Sequence, residues 1–287
     1  MTPKSLVRSV HTLFSLPDVV IQINSLIDDP ATRISDLAEA VLCDPGLAAR
    51  LLRLVNSTYY NPPYRVGTVS QAIILLGQHE LRNLVLTTVA VNLFKGLPPE
   101  QVNMERFWLH SIMCGVAARG LARHCRLRDS ERLFIAGLLY GTGKLVFYSQ
   151  RPDLYREVLQ QAGNDERACI AAERRVFGFT YAELGAELLK TWRLPENLYM
   201  AVAYHLEPAK ALDYRLEAMI LHVAVRIVGD LQTDAGDPPS VHVPEQFGPL
   251  ADLLGLPLES VASLAAEINP QAMEIFGIIR TGLTPAR

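Results

Sequence analysis

Long apolar runs are missing from this 287-residue sequence. The densest apolar stretches, at 72–77 and 218–225, are short or are interrupted by His222 and Arg226, whereas a membrane span needs about 18 consecutive apolar residues. We therefore predict neither a membrane-spanning helix nor a membrane partner. No apolar stretch follows Lys4 and Arg8 near the N-terminus, so the segment does not resemble a secretory signal, and we expect a cytoplasmic protein.

Cysteine is scarce, and an excess of basic residues is absent. The four cysteines lie far apart and form no Cys-x-x-Cys pair, which excludes a zinc ribbon and a thioredoxin-like motif. We interpret each cysteine as a small buried apolar residue in a reducing compartment. The formal net charge is −3, whereas a dedicated nucleic-acid binder needs a basic surface, so the charge argues against nucleic acid as the partner.

The sequence also lacks the usual doublets of metal sites. Seven histidines occur, but none belongs to a His-Asp, Asp-His or His-Glu-x-x-His sequence. A divalent metal held by helices needs several converging nitrogen and oxygen ligands. His110 lies on an apolar helical stripe with Phe107, Cys114 and Leu121, where a lone histidine is more often a packed core residue than a ligand. We predict no metal and no other cofactor.

Helical periodicity extends along nearly the whole chain. Apolar residues recur at intervals of three and four, which predicts an all-α fold. The sequence Gly96-Leu97-Pro98-Pro99 breaks this pattern, and we take 95–103 as a candidate hinge. We predict a surface loop at 232–244 and short helices near 258–267 and 270–280. Clear helix starts occur at Asp44-Pro45, at Asn103, and at the capping boxes Thr68/Gln71 and Thr180/Glu183.

A glycine-flanked turn, Gly141-Thr142-Gly143-Lys144, interrupts a helix that is predicted to begin at Ser130. Backbone N–H groups of such a turn can cradle a phosphate, but the spacing of a P-loop is missing and no strand precedes the turn. The simpler interpretation is a broken helix whose glycines allow close packing. A phosphate site is the alternative.

Several motifs, taken together over roughly residues 8–225, resemble the HDOD family, the HD-related output domains of bacterial signalling proteins. Each motif alone is weak, and their order and spacing carry the specificity. The motifs are Leu16-Pro17, Asp44-Pro45-Gly46-Leu47, Asn56-Ser57, Ala72-Ile73-Ile74-Leu75-Leu76-Gly77, Phe107-Trp108-Leu109-His110, Gly137-Leu138-Leu139 and Trp192-Arg193-Leu194-Pro195.

The resemblance implies a two-lobed helical domain. Residues 1–98 would form the N-terminal helical lobe, and residues 99–230 a helical core like that of HD-type phosphohydrolases. Residues 231–287 would form a C-terminal loop and short helices packed on the core.

The resemblance also implies where the metal ligands of those hydrolases would lie. Tyr140 and Gly141 replace the His-Asp doublet, and Val225 replaces the last carboxylate. Because glycine offers no donor atom, no metal-activated water forms, and we predict that the protein is not an enzyme. The corresponding positions are His110, Tyr140, Gly141, Tyr181, His205 and Val225.

We therefore expect a non-catalytic regulatory output module that acts through protein–protein contacts with a signalling partner. No receiver, sensor or kinase pattern accompanies it, so it is either a stand-alone member or the output half of a response regulator. Homodimerisation is left open. One alternative is a nucleotide or second messenger bound in the degenerate pocket by His110, Lys144 and His205. Another is a residual metal-dependent phosphohydrolase.

Arginines at helical spacing form a candidate partner surface. A solvated helix face is the simpler interpretation, and docking of an acidic partner or of a nucleic-acid backbone is the functional one. The residues are Arg50 and Arg53 on one predicted helix and Arg119, Arg123 and Arg126 along another.

Overall fold

The computed structural model describes residues 1–9, 17–94, 97–127, 130–163, 165–233 and 247–280. These ranges form sixteen α-helices and two single-turn 3-10 helices and contain no β-strand, so the predicted all-α class is confirmed. No single described helix is long and apolar enough to cross a membrane. Phe247–Leu254 and Leu258–Ile279 reach that length and composition only as a pair, which bends by 111°.

The helices are numbered in chain order. The first six are α1 (Pro3–Ser9), α2 (Asp18–Asp28), α3 (Ile34–Leu42), α4 (Pro45–Val55), α5 (Val69–Leu76) and α6 (Gln78–Leu93). The next five are α7 (Met104–His124), α8 (Glu131–Leu139), α9 (Thr142–Gln150), α10 (Pro152–Ala162) and α11 (Glu166–Phe177). The last five are α12 (Tyr181–Thr191), α13 (Glu196–Tyr204), α14 (Arg215–Thr233), α15 (Phe247–Leu254) and α16 (Leu258–Arg280).

The chain divides into two compact units, and neither unit is continuous in sequence. The first comprises residues 1–14 and 96–269, and the second comprises residues 15–95 and 270–287. The sequence predicts a contiguous lobe over 1–98 and a C-terminal layer over 231–287. In the structure, residues 1–14 group with the later helices and the C-terminal segment is shared between the units. Positions 95 and 96 of the candidate hinge lie outside the described residues.

Side-chain caps begin several helices where the sequence predicts them. The Asp44 carboxylate accepts a hydrogen bond from the Leu47 N–H at 3.0 Å, and Asn103 accepts one from the Arg106 N–H at 2.9 Å. Both capping boxes are formed, at Thr68 before α5 and at Thr180 before α12. These caps satisfy N–H groups that have no partner inside the helix, so they fix where each helix starts.

The C-terminal helices differ from the prediction. No helix was predicted at α15, and the two short helices predicted near 258–267 and 270–280 are one helix, α16, with Pro270 inside it. Proline removes one helical hydrogen bond, but Ile268, Ala272 and Ile275 are fully buried on either side of it, and this burial outweighs the local cost. The predicted loop at 232–244 lies outside the described residues except for the last two residues of α14.

Close helix crossings in the first unit depend on glycine. A Cβ atom at Gly137 of α8 would lie 2.6 Å from the Cys114 carbonyl oxygen of α7. A Cβ at Gly143 of α9 would overlap the Tyr181 carbonyl oxygen and lie 2.7 Å from the Gly185 nitrogen of α12. Atoms cannot approach so closely, so only glycine permits these crossings. The interpretation of the 141–144 turn as a helix break that allows close packing is confirmed.

An aromatic stack holds α9, α10 and the end of α11 together. The Phe147 ring centroid lies 4.4 Å from that of Phe177 and 5.0 Å from that of Tyr155. Tyr155 and Phe147 are completely buried. The stack therefore fixes the position of α11 beside α9 and, with it, the acidic residues that α11 carries.

Asn56 in the second unit ends α4 and closes the following loop. Its side-chain amide donates to the Val66 carbonyl oxygen at 2.9 Å, and its side-chain oxygen accepts from the Val66 N–H at 2.8 Å. This paired arrangement explains the Asn-Ser motif structurally, in agreement with the interpretation of helix capping and termination.

Candidate functional site

Four of the six positions implied by the HD resemblance come together in the first unit. His110 lies on α7, Tyr140 follows α8, Tyr181 begins α12 and His205 follows α13. The ring centroid of Tyr140 lies 6.2 Å from that of His110, 5.3 Å from that of His205 and 6.3 Å from that of Tyr181. We call these four residues the tyrosine–histidine cluster. Val225 is buried in α14 and carries no donor atom.

His205 is buried, with 1% of its surface exposed, and its side chain makes two hydrogen bonds. Nδ1 lies 2.7 Å from the Val202 carbonyl oxygen. A carbonyl oxygen only accepts, so Nδ1 carries the hydrogen and Nε2 accepts from the Tyr181 hydroxyl group at 3.1 Å. Burial lowers the pKa of His205 to about 4, so the ring is neutral at pH 7.

His110 makes the equivalent contact with the other tyrosine. Its Nε2 lies 2.7 Å from the Tyr140 hydroxyl oxygen and 3.6 Å from the Cys114 sulfur. Burial raises the pKa of Tyr140 well above its ordinary value, so its hydroxyl group keeps its hydrogen. Each histidine of the cluster thus directs Nε2 at a tyrosine hydroxyl group.

Phe107 covers the position of the missing aspartate. A Cβ atom at Gly141 would lie 3.2 Å from Cε2 of the Phe107 ring, which is closer than an ordinary van der Waals contact. A side chain at position 141 therefore has to displace this ring. Position 141 therefore offers no carboxylate, and the Phe107 ring lies against it.

These residues do not fit the metal that the HD resemblance implies. The His205 ring uses both nitrogens, the His110 Nε2 contacts a hydroxyl group, and Gly141 and Val225 have no donor atom. Within the described ranges, no group of three or more His, Cys, Asp and Glu side chains is placed to hold a metal ion. Two hydrogen-bonded histidines without a carboxylate are a poor donor set for a hard divalent cation.

Lys144 and Glu166 form an ion pair beside the cluster. The Lys144 ammonium nitrogen lies 4.3 Å from the Tyr181 ring centroid and 3.9 Å from a Glu166 carboxylate oxygen. The three residues predicted to line a ligand pocket, His110, Lys144 and His205, thus each contact Tyr140 or Tyr181. However, Lys144 is already paired, and His205 has no free ring nitrogen for a ligand. No sequence motif points to Glu166.

Glu173 is a second acidic residue that the sequence analysis did not assign to the site. It is fully buried and accepts hydrogen bonds from the Tyr155 hydroxyl group at 3.0 Å and from the Tyr181 N–H at 2.8 Å. Burial raises its pKa to about 7. The available signal was its spacing, because Cys169, Glu173 and Phe177 lie four residues apart, which places a carboxylate on the apolar side of α11.

The predicted arginine surface is only partly exposed. Arg119 has 5% of its surface exposed, and its Nε lies 2.5 Å from a Glu131 carboxylate oxygen. Arg123 pairs with the same carboxylate at 3.0 Å. The prediction is therefore wrong for Arg119, because this part of α7 packs against α8 rather than facing solvent. Arg53 and Arg126 are exposed, and Arg50 is half-buried.

A small cavity lies away from the tyrosine–histidine cluster, among α8, α13 and α14. Its volume is about 10 Å³, which is enough for roughly one water molecule. It does not provide a ligand site at the predicted position. Its lining residues are Leu127, Arg132, Leu133, Ala136, Asn197, Leu198, Ala201 and Glu217.

The described part of the chain is helical, and its site pairs each of two histidines with a tyrosine hydroxyl group. The family model described as HDOD domain matches residues 13–208, and the chain belongs to the HDOD family. The resemblance found in the sequence is confirmed.

Other proteins are similar over most of this chain. An uncharacterized protein of Treponema pallidum (strain Nichols) is 25% identical over 205 residues, which are 70% of this chain and 39% of that protein. The chain thus spans well under half the length of this relative.

Two solved structures share the fold over nearly their whole length. A Shewanella amazonensis protein provisionally named a phosphohydrolase has a TM-score of 0.79 at 24% identity, covering 96% of this chain and 97% of that one. An HDOD domain protein of unknown function from Geobacter sulfurreducens has a TM-score of 0.66 at 25% identity, covering 99% and 98%.

Proposed function

We propose that this HDOD protein is a non-catalytic regulatory module that acts in the cytoplasm through contacts with a protein signalling partner. One observation carries the proposal: the two histidines of the tyrosine–histidine cluster are hydrogen-bonded to tyrosine hydroxyl groups, at positions where the HD resemblance implies metal ligands. Without a bound metal ion, no water is activated as a nucleophile, and several kcal/mol of transition-state stabilisation are lost.

The buried cluster has a structural role in this proposal. Its hydrogen bonds join α7 to the end of α8 and α12 to the end of α13, a connection between helices that needs no metal ion. The exposed surface of the core is then free to evolve as a contact surface for a partner. The region similar to this chain is 39% of the longer Treponema pallidum protein. The proposal therefore accommodates a chain that forms the output half of a larger regulator.

A phosphate-bearing ligand is the alternative. The observation in its favour is the Lys144 side chain, which is 28% exposed at the edge of the cluster. Glu166 competes with any anion for this ammonium group. We therefore favour the protein contact.

The test compares partner binding with and without metal. The intact protein is used to capture partners from a bacterial lysate, and a stoichiometric partner is then purified and titrated by calorimetry. We expect the affinity for the partner to be the same with and without excess EDTA. We also expect His110→Ala to bind the partner as tightly as the control His124→Ala, which alters an exposed histidine of the same helix. A partner whose binding requires a metal or a nucleotide, or the absence of any stoichiometric partner, would contradict the proposal.

A further inference from the structure

Glu173 is a buried carboxyl group without a cationic partner. It has 0% of its surface exposed, and it forms no ion pair with any described lysine, arginine or histidine. Its contacts are the Tyr155 hydroxyl group of α10, the Tyr181 N–H of α12 and, at 4.0 Å, the Cys169 sulfur of its own helix. An ionised carboxylate removed from water and left without a cation is costly, so such a group binds a proton more readily.

Charged and titratable groups face Glu173 from each helix packed around it. Lys144 is the nearby cation, and its attraction favours the ionised form; Glu166 opposes that effect. The Lys144 ammonium group is paired with Glu166 rather than with Glu173. The full set is Lys144 and Tyr148 of α9, Tyr155 of α10, Glu166 and Cys169 of α11, and Tyr181 of α12.

The Tyr181 N–H belongs to the first turn of α12, where backbone N–H groups have no partner inside the helix. Thr180 and Glu183 satisfy two of these donors through the capping box, and Glu173 satisfies the Tyr181 donor from a different helix. An ionised acceptor at a helix N-terminus is stabilised by the helix dipole and makes a hydrogen bond about twice as strong as a neutral acceptor. The bond between α11 and α12 therefore depends on the charge of Glu173.

We propose that Glu173 is a proton switch: its buried carboxyl group takes up and releases a proton, and the change alters how firmly the first turn of α12 is held. Tyr181 carries the change to its neighbours, because its hydroxyl group binds His205 and its ring lies under the Lys144 ammonium group. Burial places the pKa of Glu173 at about 7, so the switch operates near neutral pH. This inference does not depend on the proposal that the protein is a non-catalytic regulatory module.

Carboxyl-detected NMR of the intact protein tests the proposal directly. The Glu173 carboxyl signal is followed from about pH 5 to about pH 9, together with the hydrogen-exchange rate of the Tyr181 amide after correction for its intrinsic pH dependence. We expect a Glu173 midpoint above about pH 6, compared with 4.5 for an ordinary glutamate. Ionisation strengthens the bond from the Tyr181 N–H. Exchange through local opening of this bond, in which Glu173 stays buried, therefore becomes roughly threefold slower across the same midpoint.

Two variants assign the effect. In Glu173→Gln the corrected exchange rate of Tyr181 no longer changes at this midpoint. In the control Glu183→Gln, which alters the capping-box residue of the same helix, the change is retained. Should Glu173→Gln fail to fold, the titration of the unmodified protein decides the matter by itself. A Glu173 midpoint below about pH 6 overturns the proposal, as does a Tyr181 exchange rate that is constant while Glu173 titrates.

Discussion

The Tyr181 hydroxyl group donates a hydrogen bond to Nε2 of His205 across 3.1 Å, and this bond joins the first residue of α12 to the residue that ends α13. The His205 Nδ1–H is fixed on the Val202 carbonyl oxygen, so Nε2 has only its lone pair to offer. A tyrosine hydroxyl group is a suitable donor for that lone pair, and a metal ion at the same position would have to displace it.

Removing this hydroxyl group should leave the buried His205 Nε2 without a donor. We expect Tyr181→Phe to lower the free energy of unfolding by about 2 kcal/mol, measured by urea denaturation. The control Tyr64→Phe changes a tyrosine that is 55% exposed and should stay within about 0.5 kcal/mol of the unmodified protein. Equal stabilities for the two variants would show that the Tyr181–His205 bond contributes nothing.

The crossing of α9 and α12 should tolerate no side chain at Gly143. We expect Gly143→Ala to destabilise the protein by roughly 3 kcal/mol, because the new methyl group meets the backbone of Tyr181 and Gly185 rather than a movable side chain. Gly229→Ala is the matched control in a helix where a Cβ has open space, and it should stabilise the protein by about 0.5 kcal/mol. Thermal unfolding of both variants checks this. A Gly143→Ala protein as stable as the control would contradict the close backbone contact between α9 and α12.

Glu173 should make stability depend on pH. Its pKa rises from 4.5 to about 7 on folding because of burial, so within this window the folded protein holds a proton that the unfolded chain has released. The contribution of Glu173 to stability is therefore greatest below pH 4.5. It falls as the pH rises from 4.5 through about 7, by up to about 1.4 kcal/mol per pH unit.

The measurement is the difference in free energy of unfolding between Glu173→Gln and the unmodified protein at several pH values. We expect the variant to gain relative stability as the pH rises through this window. A difference that is constant with pH would mean that the pKa of Glu173 is the same in the folded and unfolded states.

Phe107 and position 141 should be energetically coupled. Gly141 has φ −85°, which alanine adopts freely, so any cost of Gly141→Ala comes from the Phe107 ring rather than from the backbone. We expect Gly141→Ala to cost about 1 kcal/mol, and most of this cost to vanish when Phe107→Leu is also present. A double-mutant cycle measures the coupling, and strictly additive effects would argue against the contact.

Local features of the fold were predictable from the sequence, and long-range ones were not. The caps at Asp44, Asn103 and Thr180 are read from neighbouring residues, so the helix starts were predicted correctly. α16 continues past Pro270 because apolar residues on both sides of the proline are buried. The tendency of proline to end a helix, applied to neighbouring residues alone, does not take this burial into account.

The candidate site shows the same limit. Family motifs placed His110 and His205 at the site, but each histidine is hydrogen-bonded to a tyrosine that is distant in sequence. The hydrogen bonds of Glu173 with Tyr155 and Tyr181 likewise join three helices. No spacing rule links such residues. Arg119 has the spacing of a surface residue, yet the packing of α7 on α8 buries it.

The most direct test of the central claim is a titration of the purified protein with Mn²⁺, combined with an assay of phosphodiester and nucleotide hydrolysis in its presence. The account predicts no heat of binding beyond that of dilution and no turnover, with the same result for His110→Ala. A saturable Mn²⁺ site together with metal-dependent hydrolysis that His110→Ala abolishes would contradict it.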